Sequence, residues 1–309
     1  MDAPDLAVGF VLILQMGVGV SGNIFLLLFY THRVSAILKL GSSDLILFHL
    51  ALSNAIVLLT RGLPEILSAW GLRNFLSNAG CKILMYPYRV GRGLAICSTC
   101  LLSVVQAITI SPGTPWWATL KARLPQCIIP SCLLSWGLSL LIDFDAIMNV
   151  TGPRNSSNVQ LMLDHKFCSK VSISAETTLL IAIVLFLRDG FFVGLMSVAS
   201  SYMVFILHRH HRQVRHLHAP GRSPGAMPEV RAAKRVVALV TLYVLLYGRQ
   251  TIMLSILLNM KEKSSLLMNS HMVLGFTFSA VSPFLIIQGD RRMRTFWKRD
   301  SPVSNRNPS

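Results

Sequence analysis

Seven long apolar stretches constrain this chain more than any other feature of its sequence. Each is long enough to cross a bilayer as a helix, which takes roughly 20 consecutive apolar residues. Hydrophobic residues make up 52% of the 309 residues and charged residues 14%. We therefore predict one all-α domain, an integral-membrane bundle of seven helices, followed by a short cytoplasmic tail at 288–309. The predicted helices are Ala7–Tyr30, Leu45–Leu67, Cys81–Ile110, Leu124–Ile142, Ile173–Leu207, Val236–Leu258 and Leu266–Ile287.

The first stretch is interpreted as a retained helix rather than a cleaved signal peptide. Its uncharged run is about twice as long as a typical signal core, and the residues before it are acidic rather than basic. With this helix kept, the chain crosses the membrane seven times. Its two ends are therefore predicted to lie on opposite sides.

The formal net charge of +16 raises the question of a nucleic-acid partner, and the position of the basic residues decides against one. One set of loops carries 17 Lys and Arg residues and the opposite set carries 7. The positive-inside rule places the richer set in the cytoplasm and the N terminus outside. The basic excess therefore indicates membrane topology, with lipid head groups as its partners.

Two N-glycosylation acceptor patterns and two cysteines fall on the predicted outer side. Asn149 and Asn155 each begin an Asn-x-Ser/Thr pattern in the loop between the fourth and fifth helices, where glycosylation is possible. Cys81 begins the third helix and Cys168 lies in the same loop, an oxidising setting in which an isolated pair is expected to bridge. Free thiols and chance patterns are the alternatives.

Three sequence blocks are distinctive: DLILFHLALSN in the second helix, CKILMYPYRVGRGLAICSTCLLSVVQAITISP through the third, and SPF at the end of the seventh. In these blocks the chain resembles the vomeronasal type-1 (pheromone) receptors, a family of G-protein-coupled receptors. The usual rhodopsin-like marks are mostly absent: QAITISP stands where Asp-Arg-Tyr would end the third helix. Bitter-taste receptors are the nearest alternative, but the pair Cys81 and Cys168 is not expected in that family.

Charged residues at membrane depth are the candidates for function, because each is costly in hydrocarbon and usually faces a cavity or a partner. Tyr86, Arg89 and Arg92 follow one another at helical spacing on the third helix, so we expect the face they share to line the interior. At 1.5 Å per residue, the two arginines lie roughly 12 to 17 Å below Cys81, a depth suited to a small-molecule pocket. Arginines that only bridge helices are an equal alternative.

Three further charges complete this predicted pocket between helices three, five and six. Arg188 and Asp189 lie within the fifth stretch and Arg249 within the sixth. Four arginines facing one aspartate predict a positive interior, and hence a ligand with an acidic or sulfated group that a guanidinium grips bidentately. Arg249 is unusual for the family, and we interpret it as either a ligand contact or a lesion.

The resemblance implies a plasma-membrane receptor that binds a small chemosignal from outside and signals to a heterotrimeric G protein. No catalytic, cofactor or metal constellation is recognised, so we predict that the chain is not an enzyme. A signalling-incompetent relic of the family and, more remotely, a transporter or channel are the rival interpretations. The predicted residues facing the G protein are Arg209, Arg212, Arg215, Arg231, Lys234 and Arg235.

Overall fold

A computed structural model of the chain shows a bundle of long helices. The structure describes residues 3–36, 41–72, 75–152, 161–165, 168–171, 174–217, 228–259, 265–289 and 293. The helices are α1 (Ala3–Ala36), α2 (Ser42–Val57), α3 (Leu63–Ala69), α4 (Asn78–Ile110), α5 (Pro115–Ile142), α6 (Asp145–Asn149), α7 (Ala175–Leu217), α8 (Pro228–Asn259), α9 (Ser265–Leu274) and α10 (Thr277–Gly289).

All seven predicted stretches correspond to helical segments. Within the described residues, six segments are long and apolar enough to cross a membrane: Leu6–Arg33, Ser43–Ala69, Asn78–Ile110, Pro115–Asn149, Leu179–His210 and Asn269–Gln288. The remaining stretch, Val236–Leu258, lies within the 32-residue helix α8. The fold is therefore the expected seven-helix membrane bundle.

Two of the predicted helices have interruptions that apolar length alone did not indicate. The second crossing runs from α2 into α3 through a π-helical turn, Leu58–Gly62. The seventh is divided, because α9 ends at Leu274 and α10 begins at Thr277.

The fourth helix begins at Pro115, nine residues before the predicted Leu124. Proline is well suited to the first turn of a helix, where its missing N–H costs nothing.

Helix α4 is the centre of the bundle and packs against α2, α5, α7 and α8. Gly91 allows α2 to approach closely, since a Cβ there would lie 3.0 Å from Ile56 Cγ2 and 3.2 Å from the Ser53 carbonyl oxygen. A hydrogen bond from an asparagine connects two further helices. Asn23 Nδ2 donates to the Ser279 carbonyl oxygen at 2.9 Å, which joins α1 to α10.

A small sheet covers one end of the bundle, which we call the disulfide end. Strands β1 (Val150–Thr151), β2 (Leu161–His165) and β3 (Cys168–Val171) are antiparallel in the order β1-β3-β2. The sulfur atoms of Cys81 and Cys168 are bonded at 2.00 Å, so β3 is fixed to the first turn of α4. The predicted disulfide is thus present in the fold.

Polar contacts also hold the opposite end of the bundle. The Ser111 hydroxyl, just after α4, lies 3.0 Å from the Tyr202 hydroxyl on α7. Lys121 on α5 donates to the Ser111 carbonyl oxygen at 2.8 Å, and Trp117 stacks on Tyr202 with 6.0 Å between ring centroids. Helices α5 and α7 therefore meet the end of α4 here.

Candidate ligand cleft and its charged network

Arg89 on α4 is paired with two aspartates that follow α5. Its Nε lies 3.2 Å from Asp143 Oδ1 and its Nη2 lies 2.9 Å from Asp145 Oδ1. Both carboxylates sit where α5 ends and the short helix α6 begins, so α4 is bound to this turn by two ion pairs. Ions removed from water are tolerated mainly when they are paired in this way.

Asp143 and Asp189 continue the chain of charges to α7 and α8. Arg188 Nη1 lies 2.7 Å from Asp143 Oδ2, and Arg188 Nε lies 3.0 Å from Asp189 Oδ1. The second oxygen of Asp189 accepts from Arg92 Nη2 at 2.6 Å and from the Tyr247 hydroxyl at 2.8 Å. Residues of α4, α7 and α8 therefore meet at one carboxylate.

Glycine at position 93 makes room for this network. A Cβ added there would lie 3.0 Å from Ser139 Oγ and 3.3 Å from Arg188 Nη1. Because α4 has no side chain at this point, the Arg188 guanidinium and Asp143 can lie against its backbone. We call the alternating series Asp145, Arg89, Asp143, Arg188, Asp189 and Arg92 the charged network.

The prediction of an excess of positive charge in the interior is wrong. The charged network contains three arginines and three aspartates, and so has no net formal charge. Asp143 and Asp145 were missed because the predicted fourth helix ended at Ile142, one residue before them. Two acidic residues in DFD beside an apolar helix end were the available indication.

Arg249 lies outside the charged network. Its side chain is exposed, and it follows Tyr247 by two residues, a rotation of about 200° around the helix. It therefore points away from the side of α8 that carries Tyr247. The interpretation of Arg249 as an interior ligand contact receives no support from this position.

A cleft opens beside the network, between α4, α8, the end of α2, and the break between α9 and α10 with the start of α10. Its lining residues are Val57, Tyr88, Arg92, Ala95, Tyr243, Leu246, Tyr247, Leu274, Gly275, Phe276, Phe278 and Ser279. The cleft has a volume of about 50 Å³, enough for a few water molecules. Of helices three, five and six, which the sequence predicted to bound the pocket, only three and six contribute residues to this cleft.

Arg92 is the one residue of the predicted pocket set that lines this cleft. Its side chain is 42% exposed and that of Asp189 only 4%. Tyr86 instead donates to the Leu140 carbonyl oxygen at 3.1 Å, and Arg89 and Arg188 are held by aspartates away from the cleft. Sequence reasoning missed Tyr88, although it precedes Arg92 by one helical turn.

Tyr88 and Tyr247 place two arginine–tyrosine pairs beside the cleft. The Arg92 guanidinium carbon lies 5.3 Å from the centroid of the Tyr247 ring, and that of Arg61 lies 4.9 Å from the Tyr88 ring. The Tyr88 hydroxyl also accepts a hydrogen bond from Arg61 Nη1. Such cation–π contacts stabilise a guanidinium outside bulk water.

Arg61 lies inside the bundle, on the π-helical turn. It is buried, and its Nε donates to Glu65 Oε1 at 2.6 Å. Its Nη2 would lie 2.9 Å from a Cβ added at Gly275, in the break between α9 and α10. The break between α9 and α10 therefore lies against Arg61 of the π-helical turn.

Comparison with known proteins decides the family of this chain. The family model described as the vomeronasal organ pheromone receptor family matches residues 6–299. The chain belongs to the vomeronasal type-1 receptor family. Vomeronasal type-1 receptor 3 of Homo sapiens is 37% identical over 310 residues, covering 100% of this chain and 98% of that relative. Olfactory receptor class A-like protein 1 of Danio rerio is 35% identical over 295 residues, covering 95% of this chain and 92% of that relative.

Membership of the vomeronasal type-1 receptor family has direct consequences for class and location. The members are receptors and not enzymes, and they are multi-pass proteins of the plasma membrane. The family supports a chemosensory G-protein-coupled receptor. The alternative resemblance to bitter-taste receptors is thereby set aside.

Of the two predicted glycosylation positions, the structure describes only Asn149. Asn149 ends α6 and is only 7% exposed, and its Oδ1 has no hydrogen-bond partner in the described part of the chain. This burial conflicts with a glycan at Asn149 in the folded vomeronasal type-1 receptor. Asn155 lies outside the described residues.

The basic residues predicted to face a G protein lie on the end of α7 and the beginning of α8. Arg209, Arg212 and Lys234 are exposed, whereas Arg231 and Arg235 are half-buried. The side chain of Arg215 lies outside the described residues. No cluster of metal-binding side chains occurs in the described ranges, which include His208 and His210.

Proposed function

We propose that this vomeronasal type-1 receptor binds a small molecule in the cleft beside Arg92 and passes the signal to a heterotrimeric G protein at the opposite end. The observation that carries the proposal is a partly exposed arginine in an otherwise uncharged, largely aromatic and apolar cleft. Small-molecule sites are typically apolar cavities with a few precisely placed polar groups.

The orientation follows from charge and chemistry together. The disulfide end carries Cys81 bonded to Cys168, which requires an oxidising compartment. The opposite loops carry most of the basic residues, which favours the cytoplasm for that end. A ligand therefore reaches the cleft from outside, and the ends of α7 and α8 that carry the candidate basic residues face the cytosol.

The charged network supplies a route from ligand to helix packing. Arg92 and Tyr247 both bind the same oxygen of Asp189, so a ligand that redirects the Arg92 guanidinium changes contacts among α4, α7 and α8 at once. A ligand shifts a conformational equilibrium only through different interactions with the two states. The cleft of about 50 Å³ must widen to admit a ligand, which links binding to movement of its walls.

Helices α4 and α7 meet again near the cytoplasmic end. Ser111, which follows α4, contacts Tyr202 of α7 and Lys121 of α5. A movement of α4 against α7 in the network would strain these contacts and change the surface offered to a G protein. The proposed basic part of that surface consists of Arg209, Arg212, Arg215, Arg231, Lys234 and Arg235.

A signalling assay on matched arginine variants tests the proposal. Cells expressing the receptor and a G-protein reporter are exposed to a panel of small volatile and semi-volatile compounds, with surface expression measured in parallel. Arg92→Gln should reduce the potency of an activating compound about tenfold or more, because a hydrogen bond to a charged group contributes about 1.5–3 kcal/mol. Arg249→Gln is the control, because the Arg249 side chain is exposed and belongs neither to the cleft lining nor to the charged network.

The assay also separates the rival functions. A signalling-incompetent relic reaches the surface but activates no G protein with any compound of the panel. A transporter or channel would move solute or current without a G protein. Equal losses of potency for Arg92→Gln and Arg249→Gln at equal surface levels would argue against the cleft as the site.

A further inference from the structure

The cleft presents a cation whose charge is already balanced. Among the described residues that line it, Arg92 is the charged one, and its Nη2 lies 2.6 Å from Asp189 Oδ2. The Arg92 side chain is 42% exposed while that of Asp189 is 4% exposed. A ligand can therefore touch the guanidinium but not the carboxylate that neutralises it.

Hydrogen-bond donors remain available on Arg92. A guanidinium has five N–H donors and no acceptor, and the described contacts of Arg92 use its Nη2 for Asp189 and its face for Tyr247. Of the three tyrosines in the lining, Tyr88 accepts from Arg61 and Tyr247 donates to Asp189. The cleft thus offers N–H donors and no accessible acidic partner among its described residues.

This arrangement favours a neutral acceptor over an ion. An anion bound to Arg92 would lie close to the Asp189 carboxylate away from bulk water, and like charges in such a position disfavour one another. An ammonium group would meet the positive guanidinium with no exposed carboxylate of the described lining to compensate. A ketone or hydroxyl oxygen accepts from Arg92 without either cost.

We propose that the cleft selects neutral ligands, in which a ketone, ester or hydroxyl oxygen on an apolar body accepts a hydrogen bond from Arg92, and discriminates against carboxylates and sulfates. This inference rests on the proposed function, because it takes the cleft as the ligand site. Asp189 is the specificity-determining residue, although it acts through Arg92 and does not touch the ligand. The acidic or sulfated ligand expected from the sequence depended on an interior excess of positive charge that the network lacks.

Removing the charge of Asp189 should therefore change the preferred class of ligand. Asp189→Asn leaves the charge of Arg92 unbalanced, and anionic compounds should then gain relative to neutral ones by about tenfold or more. Asp145→Asn is the matched control. It removes the same charge from the network, but Asp145 pairs with Arg89, which keeps Asp143 and does not line the cleft.

Matched compounds on shared carbon skeletons provide the probes. Menthone, menthol and menthyl sulfate form one series, and heptanone, heptanol and heptanoate form another. The wild-type receptor and both variants are purified in lipid nanodiscs, and the shift in apparent melting temperature is measured for each compound. The measurement reports binding and does not require that a variant still signals.

Each outcome has a defined meaning. Stabilisation of the wild type by the ketones and alcohols, with anions gaining in Asp189→Asn but not in Asp145→Asn, supports the inference. Stronger stabilisation of the wild type by the sulfate or carboxylate overturns the inference while leaving the cleft as the site. If Asp189→Asn does not fold, this wild-type ranking decides alone. The absence of any stabilising compound in all three proteins contradicts the proposed function itself, and the inference falls with it.

Discussion

Arg92 and Asp189 join two membrane-crossing helices, α4 and α7, with 2.6 Å between Nη2 of the arginine and Oδ2 of the aspartate. The same carboxylate oxygen accepts from Tyr247 of α8 at 2.8 Å. This relationship makes Asp189 a common partner for three helices and leaves Arg92 partly exposed to the cleft. The candidate ligand site and the packing of the bundle thereby share one residue pair.

Arg188 should be far more important for stability than Arg249. Arg188→Gln removes the positive charge that pairs with Asp143 Oδ2 and Asp189 Oδ1. Removing one partner of a buried ion pair costs about 3–5 kcal/mol of stability. Arg249→Gln is the control, since that side chain is exposed. Apparent melting temperature in detergent and surface expression are the measurements. Similar losses in the two variants would contradict the network as a structural element.

Replacing glycine with alanine should change stability in opposite directions at a close helix contact and on an open helix face. Gly91→Ala should lower the melting temperature, because its Cβ would lie 3.0 Å from Ile56 Cγ2 and 3.2 Å from the Ser53 carbonyl oxygen. Gly137→Ala on α5 should raise stability by roughly 0.5–1 kcal/mol through its better helix propensity, since nothing lies within 4 Å of its added Cβ. A stable Gly91→Ala variant would show that α2 and α4 are not so closely packed.

Loss of the disulfide should reduce delivery to the cell surface equally, whichever of the two cysteines is replaced. Cys81→Ala and Cys168→Ala each remove a bond that spans 87 residues of chain, and such bonds typically contribute about 2–4 kcal/mol. The double variant should be no worse than either single one. Cys127→Ala, at an exposed free cysteine, is the control. Additive losses in the double variant would mean that the two cysteines act separately.

Much of this architecture could be predicted, because it depends on features that are visible within short segments of the sequence. Apolar runs indicated the seven crossings, and the two cysteines on the predicted outer side indicated the disulfide. The partners of the arginines were not predictable from the helix positions alone. Asp143 and Asp145 lie just beyond an apolar run, and only tertiary packing reveals that they turn back onto Arg89.

The cleft was misplaced for a related reason. A helix spacing of three or four residues groups Tyr86, Arg89 and Arg92 on one side of α4, but that side is wide enough to meet two different neighbours. Tyr86 and Arg89 contact the end of α5, whereas Arg92 reaches α7 and α8. The break at Gly275, which forms part of the cleft wall, left no mark in the apolar pattern of Leu266–Ile287.

Glycosylation should depend on Asn155 and not on Asn149. Asn149 is buried at the end of α6, so Asn149→Gln should leave the gel mobility of the mature receptor unchanged. Asn155→Gln should remove the shift produced by glycosidase treatment. The reverse pattern would show that the loop presents Asn149 to solvent and that its burial here is not the mature arrangement.

The cleft as the ligand site is tested most directly by an experimental structure of the receptor in a lipid nanodisc with an activating compound bound. We predict the compound between α4, α8 and the break between α9 and α10, with an oxygen within hydrogen-bond distance of the Arg92 guanidinium. Contacts with Tyr88 and Tyr247 should complete its surroundings. A compound bound elsewhere in the bundle, with no part of it in the cleft beside Arg92, would contradict this prediction.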